Sequence, residues 1–366
     1  KDSLFSDWLY RALSFLVVSC PCALVISIPL SFFGGIGAAS KIGVLIKGSN
    51  YLEALASAEI VVCDKTGTLT EGVFKVQKIS AYGYSDDDLL RYAAYAEGFS
   101  NHPISLSLKQ AYNKEINEKF VTKTQEISGK GILAKVDGKI VLVGNEKLMR
   151  EYNIKFKKSE ETGTIVYVAI NDEFAGTILI ADKIKEDSYK AVELFKNNNN
   201  VEKVVMLTGD RKNISESVAN ELNLDEYHAE LLPQDKVSWV EKLMTQKSSG
   251  GKLIFVGDGI NDAPVLALSD IGVAMGGLGS DAAIEAADVV IMTDEPSKIA
   301  NSIQISKKTM RIVRQNIVFA IAVKIGILIL SAFGFTNMWA AVFADVGVSV
   351  LAIINALRIL RIKSTK

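Results

Sequence analysis

The chain has 366 residues, enough for two or three domains, and a formal net charge of -1. That balance leaves no global basic field, so nucleic acid is not among the expected partners. Mean hydropathy is +0.22 although 23% of residues are charged, which points to membrane segments joined to an ordinary charged globular part. The 3 cysteines form no secreted-type framework and predict a reduced cytosolic face.

The first apolar run, Ala12 to Ser40, carries no charged residue and is long enough to span a bilayer alone. The chain starts with Lys1 and has no basic region ahead of a short apolar core and cleavage site. The run is therefore not read as a signal peptide. Its oddity is the stretch Ser-Cys-Pro-Cys-Ala-Leu-Val at 19–25. On a straight helix Cys20 and Cys22 point about 200° apart and cannot share an ion. Pro21 has no N–H for the carbonyl of Val17, and Pro29 none for that of Val25, so the helix is predicted to kink or unwind. Both sulfurs can then converge, with free carbonyls facing a protein-lined cavity. From these residues alone two readings stand: buried cysteines beside a proline kink, or a pair of soft metal ligands.

The stretch after residue 51 reads as α/β. Ile60–Cys63 runs into Asp64, Val204–Leu207 into Thr208, Gly209 and Asp210, and Leu253–Val256 into Gly257 and Asp258. "DIGVAM" and "ADVVIM" look like further buried strands. Helical stretches at 187–196, 214–222 and 236–243 lie between them. Such alternation predicts a parallel sheet, whose ligands bind at the carboxyl ends of the strands. Asp64, Asp210 and Asp258 all fall at those ends. A lone Asp-Gly corner is most simply a turn; three at successive strand ends form a constellation.

That constellation suits phosphoryl chemistry. Asp64 is placed to be a nucleophile, with Lys65 beside it and Thr66, Gly67 and Thr68 offering hydroxyls and backbone N–H groups to phosphate oxygens. Asp258 and Asp64 can share Mg2+, a hard cation that prefers oxygen. Lys236 in "LLPQDK" is a second cation able to clamp a transferring phosphoryl group. No G-x-x-x-x-G-K-[ST] loop occurs, so P-loop chemistry is excluded.

Between the first strand and the rest of the sheet, Val76 to Ala181 reads as an inserted domain. It holds His102, one of 2 histidines, in "SNHPIS". Locally this is a helix start capped by Asn101. "GKG" brings Gly129 and Gly131, which permit close backbone approach. The four asparagines at 197–200 read as a loop.

Two more apolar runs close the chain. Ile317–Ala344 is broken only by Lys324, and Val346–Leu357 follows Asp345. A turn near Gly334–Asn337 makes two helices of them. Lys41 and Lys47 follow the first run; Lys307, Lys308, Arg311 and Arg314 precede the second; Arg358, Arg361, Lys363 and Lys366 follow the third. The positive-inside tendency puts the 51–307 stretch and the C-terminus in the cytoplasm. Intramembrane Lys324 and Asp345 are functional candidates by default, against a structural ion pair or snorkelling.

Together "DKTGT" at 64–68, "TGD" at 208–210 and "GDGIND" at 257–262 resemble the P-type ATPases, across essentially the whole chain. That resemblance implies a haloacid-dehalogenase-like phosphorylation domain of the α/β class, with an inserted α+β nucleotide-binding domain and three transmembrane helices. It implies that Asp64 is phosphorylated from ATP, that Lys65, Thr66, Thr208, Gly209, Asp210 and Lys236 serve the phosphoryl group, and that Asn261 and Asp262 order the site. Asp64, Thr66, Asp258 and Asp262 are the implied Mg2+ set. Glu97, His102, Gly129, Gly131 and Asn145 match the nucleotide site of the heavy-metal branch, to which the Cys-Pro-Cys stretch also belongs.

Within that branch the lysine and the Asp-Val-Gly aspartate resemble the zinc, cadmium and lead pumps. The implied transport set is Cys20, Cys22, Lys324 and Asp345, with Lys324 as a counter-charge once the metal has left. The expected domains are 1–48 (transmembrane helix), 49–76 and 181–306 (phosphorylation), 77–180 (nucleotide binding) and 307–366 (two transmembrane helices). The expected setting is a multi-pass bacterial cell membrane with the catalytic domains cytoplasmic. A copper(I) pump and a membrane-tethered dehalogenase-superfamily phosphatase are the alternatives, with an inactive metal-binding scaffold opposed by the intact motifs. Lys185 stands where many relatives have arginine. The family's Thr-Gly-Glu loop is not found, because "ETGT" at 161–164 falls in the insertion. The N-terminal part of the same pump is thus an expected partner, and the chain is not expected to pump alone.

Overall fold

The computed structural model describes residues 5–100, 102–159, 161, 163–198, 200–258, 262–276, 281–333, 335 and 338–361. The expected turn at 334–337, save Phe335, and the candidates Asn101 and Asn261 lie outside them. The chain forms two compact units: Lys1–Thr68, Glu186–Gly209 and Leu222–Lys366 in the first, Leu69–Lys185 and Asp210–Glu221 in the second.

The elements begin with helices α1 (Phe5–Ser19) and α2 (Cys22–Lys41), strand β1 (Val44–Ile46), helix α3 (Ser49–Ala56) and strand β2 (Ala58–Asp64). Then follow β3 (Thr70–Ala81), α4 (Asp86–Ala96), α5 (Pro103–Tyr112), β4 (Val121–Ile127), β5 (Gly131–Val136), β6 (Lys139–Gly144), α6 (Glu146–Glu151), β7 (Thr164–Ile170) and β8 (Glu173–Ile184). The next stretch holds α7 (Glu186–Lys196), β9 (Lys203–Leu207), α8 (Lys212–Glu221), β10 (Glu226–His228), α9 (Pro233–Met244) and β11 (Lys252–Gly257). Last come α10 (Ala263–Leu268), β12 (Ile271–Met275), α11 (Asp281–Ala286), β13 (Val289–Ile291), α12 (Ser297–Ala332), α13 (Met338–Val342) and α14 (Val348–Leu357).

The first unit is built on a seven-stranded sheet in the order β1-β13-β12-β11-β2-β9-β10. Its ladders are parallel except β1–β13. Every residue of β2 is buried, as expected for a strand covered on both faces. Ile60, Val62, Val205, Leu207, Leu253 and Phe255 pack with Val240 and Leu243 of α9 and Val265 and Leu266 of α10. The second unit is a six-stranded antiparallel sheet, β3-β8-β7-β6-β5-β4. Alternate residues divide its faces. Val141, Val143, Val166 and Val168 pack with Leu89, Tyr92 and Leu108 of α4 and α5, while Leu142, Tyr167 and Ala169 pack with Leu148 and Met149 of α6. This is the α/β class expected from the sequence: a largely parallel sheet in one unit and an antiparallel sheet in the other.

Among the described residues three segments are long and apolar enough to cross a membrane: Cys22–Lys41, Ser297–Ala332 and Trp339–Leu360. Strand β1, which the sequence reading did not include, joins the end of α2 to the parallel sheet. Gly43 makes the turn between them at φ +82. Lys47, read as a membrane-flanking charge, donates to the carbonyls of Ile284 and Glu285 at the end of α11. On α2 the buried residues Ala23, Ser27, Ser31, Gly35 and Ala38 form a stripe of small side chains, the usual means of close helix approach in a bilayer. A Cβ on Gly35 would come 2.7 Å from Thr309 Oγ1 on α12 and 2.8 Å from Leu52 Cδ1.

Candidate phosphorylation and metal sites

Asp64 ends β2, an interior strand of the seven-stranded sheet between β11 and β9. The backbone then turns sharply through Lys65–Leu69, with Gly67 at φ +74. A Cβ on Gly67 would lie 1.6 Å from Asp258 Oδ2, so only glycine lets this loop approach the carboxylate. Lys236 arrives from the first turn of α9. Pro233 opens that helix, and the Asp235 carboxylate accepts the Leu232 N–H at 2.9 Å. Lys236 Nζ donates to Asp64 Oδ1 at 2.6 Å and Asp262 Oδ1 at 2.8 Å. One buried ammonium thus holds two buried carboxylates, with 6% of Asp64 and 2% of Asp262 exposed.

Oxygens of Asp64, Asp258 and Asp262 lie within 4.8 Å of one another. Burial is the main cause that raises the Asp64 pKa to about 7; the Asp262 and Asp258 charges add to it and Lys236 opposes it. Next to it Cys63 is a buried free thiol, pushed by burial to about 12 and hence inert. Thr208 is held from both sides: its N–H donates to the His228 carbonyl and its own carbonyl accepts the Leu231 N–H. Gly209 is exposed and Asp210 half-buried, the latter at the start of the second unit's 210–221 segment. Lys65 is buried and Thr66 exposed.

Thr68, one of the hydroxyls the sequence offers to phosphate, is fully buried, and its Oγ1 has no hydrogen-bond partner among the described residues. An all-oxygen carboxylate set, and a glycine whose missing Cβ leaves Asp258 accessible, fit a hard divalent cation such as Mg2+.

In the second unit His102 caps α5 through Nδ1, which accepts the Ile104 N–H at 3.3 Å. The cap is therefore His102, one residue after the Asn101 expected for it. With Nδ1 accepting, the neutral ring carries its proton on Nε2. Glu97 is buried, accepts the Ser105 hydroxyl, and has its pKa raised by that burial. Asn145 caps α6, and its Nδ2 donates to the Gly129 carbonyl at 2.9 Å. Gly131 lies at φ +141, where a Cβ would meet the Val143 carbonyl at 2.2 Å. Gly129, Gly131 and Asn145 thus form one connected corner of the sheet.

The membrane part shows the break expected at Pro21: α1 ends at Ser19 and α2 starts at Cys22. The two cysteine Cα atoms lie 5.5 Å apart, and the sulfurs are joined as a disulfide. The break at Pro21 brings the two sulfurs into contact. A disulfide sulfur is uncharged and a weak ligand, so metal binding requires the reduced pair. Ligand atoms of Cys20, Cys22 and Asp345 lie within 4.8 Å of one another. Asp345 sits in a wide, π-type turn, Phe343–Gly347, a distortion frequent at functional sites. Lys324 Nζ donates to the Val18 carbonyl at 2.9 Å, a carbonyl next to the helix break, and lies 3.6 Å from Asp345 Oδ1.

Residues 58–270 match the haloacid dehalogenase-like hydrolase model. The chain is 58% identical over 365 residues to a cadmium, zinc and cobalt-transporting ATPase of Bacillus subtilis, covering 100% of this chain and 52% of that protein. It is 52% identical over 355 residues to a zinc-transporting ATPase of Synechocystis, covering 97% and 49%. A crystal structure of a zinc-transporting PIB-type ATPase in the E2.Pi state superposes with a TM-score of 0.86 at 36% identity, over 98% of this chain and 59% of that one. The chain spans about half the length of the curated relatives it matches. The sheet order, the strand-end carboxylates and these matches agree: the chain belongs to the haloacid dehalogenase-like hydrolases, and within them it resembles the metal-transporting P-type ATPases.

Proposed function

We propose that the chain is the catalytic and metal-gating part of a bacterial membrane pump that uses ATP to export divalent metal ions. The observation that carries this is the convergence of Cys20, Cys22 and Asp345 in the same unit as the Asp64–Lys236–Asp262 cluster. Asp64 attacks the γ-phosphorus of ATP. A carboxylate O–P bond forms, and the bond to the ADP oxygen breaks with its electron pair leaving on ADP. Lys236 offsets anionic charge as the two anions meet, the term that dominates phosphoryl transfer. Lys65, Thr66, Thr68, Thr208 and Gly209 surround the transferred group, with Asp210 at the end of the same loop and Asn261 and Asp262 ordering the site. Asp64, Asp258, Asp262 and Thr66 would hold Mg2+, which supplies Lewis-acid screening of the phosphate when bound. In the second unit His102 offers Nε2–H to the adenine, and Glu97, Gly129, Gly131 and Asn145 shape the surrounding corner.

The cargo site is a mixed sulfur and oxygen set of about -3 ligand charge once the cysteines are reduced, which suits borderline or soft divalent ions. The names of the relatives favour zinc, cadmium and cobalt. Lead, expected from the sequence, appears in neither of the two curated names quoted above. Copper(I) is disfavoured by Asp345 and Lys324. Lys324 stands ready to replace the departing cation opposite Asp345. The test is ATP turnover of the full-length, reduced protein across Zn2+, Cd2+, Co2+, Pb2+ and Cu+. Stimulation by Zn2+ or Cd2+ is expected. Turnover indifferent to metal, with hydrolysis of simple phosphate esters, would favour the phosphatase reading.

A further inference from the structure

The three long helices pack in layers. Ala23 of α2, Ala320 of α12 and Val348 of α14 form one buried cluster. One turn further along α2 is Ser27, one turn back along α12 is Asn316, and one turn on along α14 is Ala352. All three are buried, with 0%, 1% and 1% exposed, and helix pitch puts them at one level, a turn nearer Lys41 than that cluster. Asn316 Nδ2 donates to the Ala352 carbonyl at 3.1 Å, and Asn355 Nδ2 donates to Asn316 Oδ1 at 2.9 Å. Beyond it Ala38, Ile305, Ile312 and Ile359 close an apolar cluster. A polar level therefore sits between apolar ones, with the Ala23 cluster between it and the cysteines.

Ser27 is the anomaly in it. A helical serine commonly bonds the carbonyl four residues back, and Ser31 does so, to the Ser27 carbonyl at 2.7 Å. The Ser27 hydroxyl instead has no hydrogen-bond partner among the described residues, although the residue is completely buried. Its five-residue offset from Cys22 is about 7.5 Å along the helix, on the side that the flanking charges assign to the cytoplasm.

We propose that Ser27 Oγ and the Asn316 Oδ1 carbonyl form a second, weaker subsite for the divalent cation, occupied on its way from the cytoplasm to Cys20, Cys22 and Asp345. The inference rests on the transport reading above. Two neutral oxygens suit a cation that retains part of its water, and they hold it loosely enough to release it. The neighbouring anionic site, with softer donors, then takes it over. Nothing is oxidised or reduced; water ligands are exchanged for protein ones.

The test uses the full-length, reduced protein in detergent, with phosphorylation from ATP titrated by Zn2+ and by Cd2+. Ser27→Ala is expected to raise the Zn2+ concentration for half-activation about tenfold, the loss of one modest ligand. Ser27→Cys, close in size, is expected to shift preference toward Cd2+ over Zn2+ about tenfold, because a thiol replaces a hydroxyl. A packing role would alter thermal stability and leave the Cd2+/Zn2+ ratio where it was. An unchanged ratio in Ser27→Cys, in a preparation whose wild type responds to Zn2+, overturns the subsite and leaves the pump reading intact. A wild type that ignores Zn2+ overturns both.

Discussion

Replacing Lys236 by methionine isolates what the ammonium does. In the structure Nζ is shared by Asp64 and Asp262, at 2.6 and 2.8 Å, with the lysine side chain 11% exposed. Methionine keeps the bulk and removes the charge, leaving two buried carboxylates facing each other. Breaking a buried ion pair from one side costs about 3–5 kcal/mol, or a melting point lower by roughly 6–20 °C for a unit of this size. The loss depends on pH. The folded-state pKa of Asp64 is already raised, to about 7, so its stability contribution is fully present below the unfolded value near 4 and is lost as pH rises through 7. Without Lys236 that loss extends to higher pH. Lys236→Met should therefore differ least from wild type near pH 5 and most near pH 8, measured by thermal unfolding in metal-free buffer. The same variant should form aspartyl phosphate about 100- to 1,000-fold more slowly. A melting curve parallel to wild type from pH 5 to 8, with normal phosphorylation, would refute the role given to this lysine.

Glu97→Gln should raise the melting point of the second unit, and by more at pH 7.5 than at pH 4.5. Burial raises the Glu97 pKa, so its charge costs stability above the unfolded value, and glutamine keeps an acceptor for the Ser105 hydroxyl without that cost. Gly131→Ala should destabilise the same unit by roughly 2–4 kcal/mol, because a Cβ there meets the Val143 carbonyl at 2.2 Å; an unshifted thermal transition would contradict it. Oxidation of Cys20 and Cys22 should abolish Zn2+ binding measured by equilibrium dialysis, and reductant should restore it; one zinc bound per oxidised chain would contradict the thiolate assignment.

Much of this was legible because burial on both faces writes a strand as an unbroken apolar run. Ile60–Cys63, Val204–Leu207 and Leu253–Val256 read as strands for that reason, and the carboxylates that follow them stand at the ends where parallel sheets bind ligands. The break at Pro21 was legible from its missing N–H donor, whereas Pro29, which lacks one as well, lies inside the continuous helix α2. Other features depend on partners far along the chain. Val44–Ile46 is only three residues, and nothing local says that it pairs with β13. Lys47 looks like any membrane-flanking lysine until the end of α11 is brought to it. Asn198, read as loop, accepts from Lys307, a contact across 109 residues. The Ser27 hydroxyl stands out only when the hydrogen bonds around it are known.

The central claim is that Asp64 takes phosphate from ATP when a divalent metal occupies Cys20, Cys22 and Asp345. The most direct measurement is labelling of the full-length, reduced protein with γ-labelled ATP, with and without Zn2+, in wild type, Asp64→Asn and Asp345→Ala. Zn2+-dependent, acid-stable, hydroxylamine-sensitive label in wild type, lost in Asp64→Asn and no longer responsive to Zn2+ in Asp345→Ala, is the predicted result. Label that persists in Asp64→Asn, or that Cu+ supports and Zn2+ does not, would contradict it.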